Sequence, residues 1–181
     1  TVTTLSLLGI LAALATTWTL SGGHHAGTVC TPAGTRRGIS LPQSCSYVVD
    51  RYAVLIQVVI LLGVAMVVLL GASTVHLSRI PVAEYQFLLL SATTGMVAIA
   101  ASRDLLMLFV SLEVLALPTC ALAGLRRGDR RSVEAAMKYF LVSALSTAVS
   151  LYGISLVYGL TGSLQLDRVA AGLARPDLPR P

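Results

Sequence analysis

The sequence predicts an all-α membrane protein, with about five transmembrane helices belonging to a larger helical bundle. Three observations carry that expectation. The chain is 55% hydrophobic and 12% charged, with a mean hydropathy of +0.81, whereas water-soluble domains carry roughly 25% charged residues. Its apolar residues fall into five long runs. A bilayer core is ~30 Å thick and a helix rises ~1.5 Å per residue, so about 20 apolar residues cross it. Finally, nearly all the charges sit at the ends of those runs or between them. Open strand edges cannot satisfy their backbone groups in lipid, which leaves helices.

The runs are 2–20, 52–74, 83–101, 104–124 and 133–160. The first is long enough to span, and it lacks the basic n-region and the cleavage site of a signal peptide. Residues 21–50 contain Gly, Ser, Thr and Pro with two His and two Cys, and are expected to form an extramembrane loop rich in turns. The segments 83–101 and 104–124 are separated by almost nothing and should make a tight hairpin. Residues 165–181 read as an extramembrane tail. Positions 1–181 are expected to form a single transmembrane domain, without a soluble domain or an internal repeat.

The pI near 9.5 comes from arginines that flank apolar runs and form no stripe with aromatics. Membrane flanks therefore explain them, and no nucleic-acid partner is expected. Arg126, Arg127, Arg130 and Arg131 crowd the 126–132 turn, and Arg79 lies in the 75–82 turn on the same side. Arg36, Arg37, Arg51, Arg103 and the tail arginines are spread over longer segments opposite. The positive-inside rule then puts 126–132 in the cytoplasm and 21–50 outside.

Two ionisable residues lie where an oily helix should have none. Glu113 is nine residues after Asp104, about 14 Å into the core. A carboxylate there costs ~3 kcal/mol on insertion scales, and neutralising a free Glu at pH 7 costs about as much, ~3.7 kcal/mol. Charged and neutral forms are thus nearly degenerate, as a proton relay requires. The alternative is a structural Glu bonded to a neighbouring helix. Ala116, Cys120 and Gly124 share its face, a small-residue stripe suited to close helix packing. Pro118 frees the carbonyl of Val114 beside it, giving a helix kink or a place for water.

Lys138 is the one Lys among thirteen cationic residues. Lys can lose its proton when desolvated and Arg effectively cannot, which points to a second relay group. Against that stands snorkelling, because the position is only ~10 Å below the 126–132 edge. Its own helix line continues through Leu145 and Tyr152, so a polar path there is thin. A direct bridge to Glu113 is not expected across a depth gap of ~10 Å. Ser132 and Glu134 are expected to cap the last helix, with no part in catalysis.

Cys30 and Cys45 share the outer loop, where a disulfide is permitted and worth ~3 kcal/mol in the chain-entropy model. His24 and His25 suggest zinc, but adjacent His side chains diverge and no ligand spacing matches, so no metal is expected. Cys120 and His76 need no special role. The sequence carries no phosphate loop, dinucleotide fingerprint, haem or iron–sulfur spacing, or nucleophile triad, and so no cofactor-binding residue.

The run LFVSLEVLALPTCALAGLRRGDRRSVEAAMKYFLVSALSTAVSLYGISLVYGLTGSL resembles the N subunit of bacterial respiratory complex I, the proton-pumping NADH:quinone oxidoreductase. That subunit is one of the antiporter-like membrane proteins. The resemblance covers about 84–164 well, VVDRYA loosely, and the opening helix and Cys loop hardly at all. It implies that the bundle is antiporter-like and that Glu113 is the family's membrane glutamate. Lys138 then matches the lysine that begins its KYF run. It implies a bacterial plasma-membrane location and, as partners, the bilayer, L/M-type antiporter-like subunits and small membrane subunits. FMN, iron–sulfur clusters and quinone would belong to partner subunits. Thr119 and Cys120 depart from a bulkier family pair, which should alter packing only. The family also has further helices, including a broken one with a second lysine, so this sequence looks like part of a chain. A component of a cation/proton antiporter or related membrane hydrogenase, and a structural membrane scaffold, are the competing assignments.

Overall fold

Aspartates decide where three of the helices begin. The Asp50 carboxylate accepts from the Ala53 N–H at 2.8 Å, that of Asp104 from Met107 at 2.5 Å, and that of Asp129 from Arg131 at 3.0 Å. Each satisfies a backbone donor that the first helical turn leaves free, and each puts negative charge at the positive end of the helix dipole. The computed structural model describes residues 2–21, 26–31, 34–36, 39–41, 44–77, 80–126 and 128–174.

Within them the order is α1 (Val2–Ser21), β1 (Ala26–Thr31), β2 (Gly34–Arg36), β3 (Ile39–Leu41), β4 (Ser44–Val49) and α2 (Arg51–Leu77). Then follow α3 (Val82–Ala100), α4 (Leu105–Ala123), α5 (Arg130–Thr161) and α6 (Leu166–Leu173). Helices α1 to α5 are each long and apolar enough to cross a membrane.

Four features depart from the sequence-based expectation. The last long helix starts at Arg130, not at 133, because Asp129 is its cap. Ser132 is already inside that helix, and its hydroxyl donates to the Ala123 carbonyl at the end of α4, 2.6 Å away. The second membrane helix runs to Leu77, three residues beyond the expected 74. The segment between α1 and α2 is not all turn. β1 pairs antiparallel with β4, Cys30 lies opposite Cys45, and β2 pairs with β3. Thr, Val and Tyr supply the strand-forming side chains there; the glycines and prolines between them gave the impression of continuous turn. In the tail, Leu166–Leu173 is helical and folds back on α5. There Val169 is buried, and a Cβ at Gly172 would meet the Thr161 side chain at 3.1 Å. His24, His25, Arg37, Arg79, Arg127 and residues 175–181 lie outside the described residues, as does the side chain of His76.

Ile10 of α1 and Leu61, Val64 and Val68 of α2 form the buried apolar core, flanked by Leu89, Leu90, Met96 and Val97 of α3. Along α2 the buried positions 53, 54, 57, 61, 64 and 68 follow the helical period. Gln57 sits in that row yet is satisfied, since its amide donates to Tyr47 Oη at 3.3 Å and to the Val97 carbonyl at 3.2 Å. The α3–α4 hairpin is as tight as the sequence predicts. At Gly95 an added Cβ would be 2.6 Å from the Leu115 nitrogen and 2.9 Å from the Ser111 carbonyl oxygen.

The connection between those two helices is bound on both sides. Val48 N–H donates to Ala101 O at 2.9 Å, and Arg103 N–H to Ser46 O at 2.8 Å. On the far side Leu105 N–H donates to Leu164 O at 2.9 Å, and Leu166 N–H to Arg103 O at 3.1 Å. Arg103 also forms a salt bridge with Asp50. The hairpin, the α3–α4 turn and the segment after α5 are therefore one hydrogen-bonded edge, at the end of the bundle opposite the 126–132 turn.

Candidate functional site

Glu113 lies midway along α4, half-buried against α5. Thr147 of α5 donates its hydroxyl to Glu113 Oε1 at 2.7 Å. The two helices come close enough because the α4 face below Glu113 is small. A Cβ at Gly124 would be 3.0 Å from the Ala136 Cβ, and the Cys120 thiol donates to the Ala136 carbonyl at 3.5 Å. Small residues let helix backbones approach in lipid, where no hydrophobic force drives the helices together. Helix α4 runs unbroken through Pro118. The Thr119 hydroxyl bonds the Leu115 carbonyl at 2.7 Å, one residue past the Val114 carbonyl that the proline leaves without its usual donor.

A cavity of about 220 Å³ opens beside the carboxylate. Its apolar wall comes from Phe109, Leu112, Leu115 and Ala116. Its polar wall is a set of hydroxyls on α5: Tyr139, Ser143, Ser146, Thr147 and Ser150. The spacing 143, 146, 147, 150 is one helical face. Sequence reasoning followed the line of Lys138 through Leu145 and Tyr152, about one residue out of phase, and so missed it. The signal was present: hydroxyl residues at i, i+3, i+4 and i+7 in an otherwise apolar helix, aimed at the helix that carries a membrane acid.

Lys138 is not part of that cavity. It is exposed on α5, and its Nζ lies 2.6 Å from Glu134 Oε1. Glu134 was expected to be a capping residue. Because α5 starts at Arg130, Glu134 falls in the second turn and forms an i,i+4 ion pair with Lys138. The structure thus brings Glu113 together with Thr147, and Lys138 together with Glu134, as two separate pairs.

Cys30 and Cys45, fifteen residues apart, are joined in a disulfide that staples β1 to β4. Among the described residues no group of three His, Cys, Asp or Glu side chains is placed to hold a metal ion.

Residues 102–176 match the model of a family described as NADH:quinone oxidoreductase/Mrp antiporter, transmembrane. That segment contains both acid–hydroxyl and ion-pair residues. The chain is 44% identical over 168 residues to NADH-quinone oxidoreductase subunit N 2 of Streptomyces griseus, covering 93% of this chain and 30% of that protein. It is 40% identical over 172 residues to subunit N of Salinispora tropica, covering 94% and 31%. Among solved structures it superposes on a chain of respiratory complex I from Thermus thermophilus with a TM-score of 0.66 and 37% identity, over 91% of this chain and 33% of that one. A chain of the membrane-bound sulfane sulfur reductase, an archaeal respiratory membrane complex, gives 0.67 and 26%, over 93% and 32%. The chain spans about a third of the length of these relatives. Subunits N of NADH-quinone oxidoreductases thus match nearly the whole of this sequence, and the family match runs across α4 and α5.

Proposed function

We propose that this chain belongs to a proton-translocating membrane subunit of an NADH:quinone oxidoreductase of the respiratory complex I type, with Glu113 as its proton-exchanging group. The hydrogen bond from Thr147 to Glu113, at the edge of a hydroxyl-lined cavity, is the observation that carries this. A hydroxyl is both donor and acceptor. Thr147 donates to the carboxylate when Glu113 is charged and can accept from its carboxyl O–H when it is neutral. One pair therefore serves both protonation states, which a proton exchanger needs and a static brace does not. The cavity has room for several waters, and the α5 hydroxyls would pass protons along it.

Lys138 is the second relay group in this proposal. Its ion pair with Glu134, one turn earlier on α5, fixes where the ammonium sits. Pro118 gives α4 its local freedom beside Glu113. FMN, iron–sulfur clusters and quinone would sit on partner subunits, so electron transfer takes place elsewhere and this chain contributes only proton movement. The partners are L/M-type and small membrane subunits in a bacterial plasma membrane, with the 126–132 turn cytoplasmic and the disulfide hairpin outside. The likeness to the sulfane sulfur reductase chain supports a second assignment, an antiporter-type module serving a different redox partner.

The test uses the full-length protein in its native complex. Glu113→Gln keeps size and hydrogen bonding and removes the titration. It should assemble normally on native gels while NADH–quinone turnover and the proton gradient in vesicles fall several-fold. Lys138→Arg keeps the cation and should also lose coupled pumping. A Gln variant that assembles and pumps like wild type overturns the relay role of Glu113. Absence of NADH–quinone activity from membranes that contain the intact protein favours the second assignment.

A further inference from the structure

A cleft of about 550 Å³ lies at the end of the bundle opposite the disulfide hairpin, between the start of α3, the end of α4 and the start of α5. Its floor is apolar, formed by Ile80, Leu122, Ala123 and Leu125, and its rim carries Arg126 and Arg131. We propose that this cleft binds an anionic phospholipid, its phosphate held by Arg126 and Arg131 and an acyl chain lying along Leu122 and Ile80.

Depth is the first argument. Leu122 and Ala123 belong to the last turn of a membrane-length helix, and Arg131 to the first turn of the next. The cleft therefore straddles the level where hydrocarbon gives way to headgroups. A cavity with oil below and cations above at that depth fits an amphipathic anion. The second argument is charge that the protein leaves unspent. Arg126 Nη1 is 3.8 Å from Asp129 Oδ2, and the Arg126 side chain is 60% exposed. That separation is beyond hydrogen-bonding range, so the guanidinium keeps its donors. The other Asp129 oxygen already accepts from the Arg131 backbone N–H. Among the described residues the Arg131 guanidinium has no ion-pair partner. Ser132 is committed to the Ala123 carbonyl and contributes no free donor.

Two arginines and one aspartate thus line the cleft, a local excess of one positive charge. Guanidinium forks match phosphate oxygens. A zwitterionic lipid brings its own cation to the phosphate and would leave that excess unmatched, whereas an anionic lipid neutralises it. The site is independent of Glu113 and Lys138, so its failure would leave the proton-exchange proposal untouched.

The experiment reconstitutes the intact complex in phosphatidylcholine vesicles containing either phosphatidylglycerol or phosphatidylcholine with a photoreactive diazirine in the tail. After illumination, labelled peptides covering 80–85 and 122–132 are quantified by mass spectrometry. Phosphatidylglycerol should label these peptides about fivefold more than phosphatidylcholine. The preference should vanish in the Arg126→Gln/Arg131→Gln double variant and survive in Arg126→Lys/Arg131→Lys, which retains the charges. Labelling of the exposed apolar face of α2 should not distinguish the two lipids in any variant. Equal labelling of the cleft by both probes, or a preference that persists in the Gln double variant, overturns the proposal. So does loss of the preference in the Lys double variant when that complex assembles normally.

Discussion

The α1–α3 half of the molecule and the α4–α5 half solve the same problem in opposite ways. Between α1, α2 and α3 the seam is closed by a row of apolar side chains, Ile10, Leu61, Val64 and Val68, all buried. Its one deeply buried α2 amide, Gln57, has its donors taken up by Tyr47 and Val97. Between α4 and α5 the helices touch at small residues, and above that contact the seam opens into a cavity lined by five hydroxyls and one carboxylate. None of the described residues of α5 is buried. A closed seam fixes geometry and cannot exchange protons. An open polar seam can exchange them, and it needs the closed one beside it to stay in register.

The sharpest way to break that contrast is at Gly95, where the rigid half meets α4. Any side chain there would overlap the Leu115 and Ser111 backbone, and neither can move without displacing the helix that carries Glu113. Overpacking a tight contact costs ~1–3 kcal/mol and often more when backbone must shift. Gly95→Val should therefore abolish assembly on native gels. Gly63→Ala, where nothing lies within 4 Å of the added Cβ, should assemble as wild type. Normal assembly of Gly95→Val would mean that the two halves are not rigidly joined.

Smaller effects are expected inside the open seam. Thr147→Val keeps shape and removes the donor to Glu113; hydrogen bonds to charged groups are typically worth ~1.5–3 kcal/mol. The variant should assemble and lose NADH–quinone turnover several-fold, whereas Thr147→Ser should recover most of it. A Val variant with wild-type turnover would show that the hydroxyl is a spectator and would leave the cavity, not the bond, as the functional feature.

The same contrast explains what the sequence made legible. Membrane helices, the α3–α4 hairpin, Glu113 and its small-residue face were all visible, because long apolar runs and an acid in the middle of one each have one dominant energetic consequence. The Glu134–Lys138 pair has the i,i+4 spacing in the sequence and was passed over only because Glu134 reads as a first-turn acid when Ser132, not Asp129, is taken as the cap. Both are good capping residues, so local propensity could not choose. The hydroxyl face of α5 went unseen for a different reason. Ser and Thr inside membrane helices usually bond back to their own helix, as Ser111 does to Met107 at 2.7 Å. Only the partner helix distinguishes Thr147 from these. The strands between β1 and β4 were hidden by the turn residues that connect them.

The smallest expected effect lies at the edge where the disulfide hairpin meets the α3–α4 turn. In the chain-entropy model, closing a loop of fifteen residues stabilises by ~3 kcal/mol. That figure assumes loop ends that are free when the protein is unfolded. Here α1 and α2 are membrane helices, so the bilayer already confines both ends and the gain shrinks, to ~1 kcal/mol or less. The folded hairpin also keeps its other ties when the bridge is absent: the Val48–Ala101 and Ser46–Arg103 backbone bonds and the Asp50–Arg103 salt bridge. Neither cysteine touches the Glu113 cavity. The Cys30→Ser/Cys45→Ser variant should therefore assemble, pump at close to the wild-type rate and lose a few degrees of thermal stability in detergent. Turnover falling as far as in Thr147→Val, with assembly intact, would give the result a different meaning. The hairpin would then be setting the position of α4 through its grip on the Asp104 end of that helix, and the closed and open seams would not be separable.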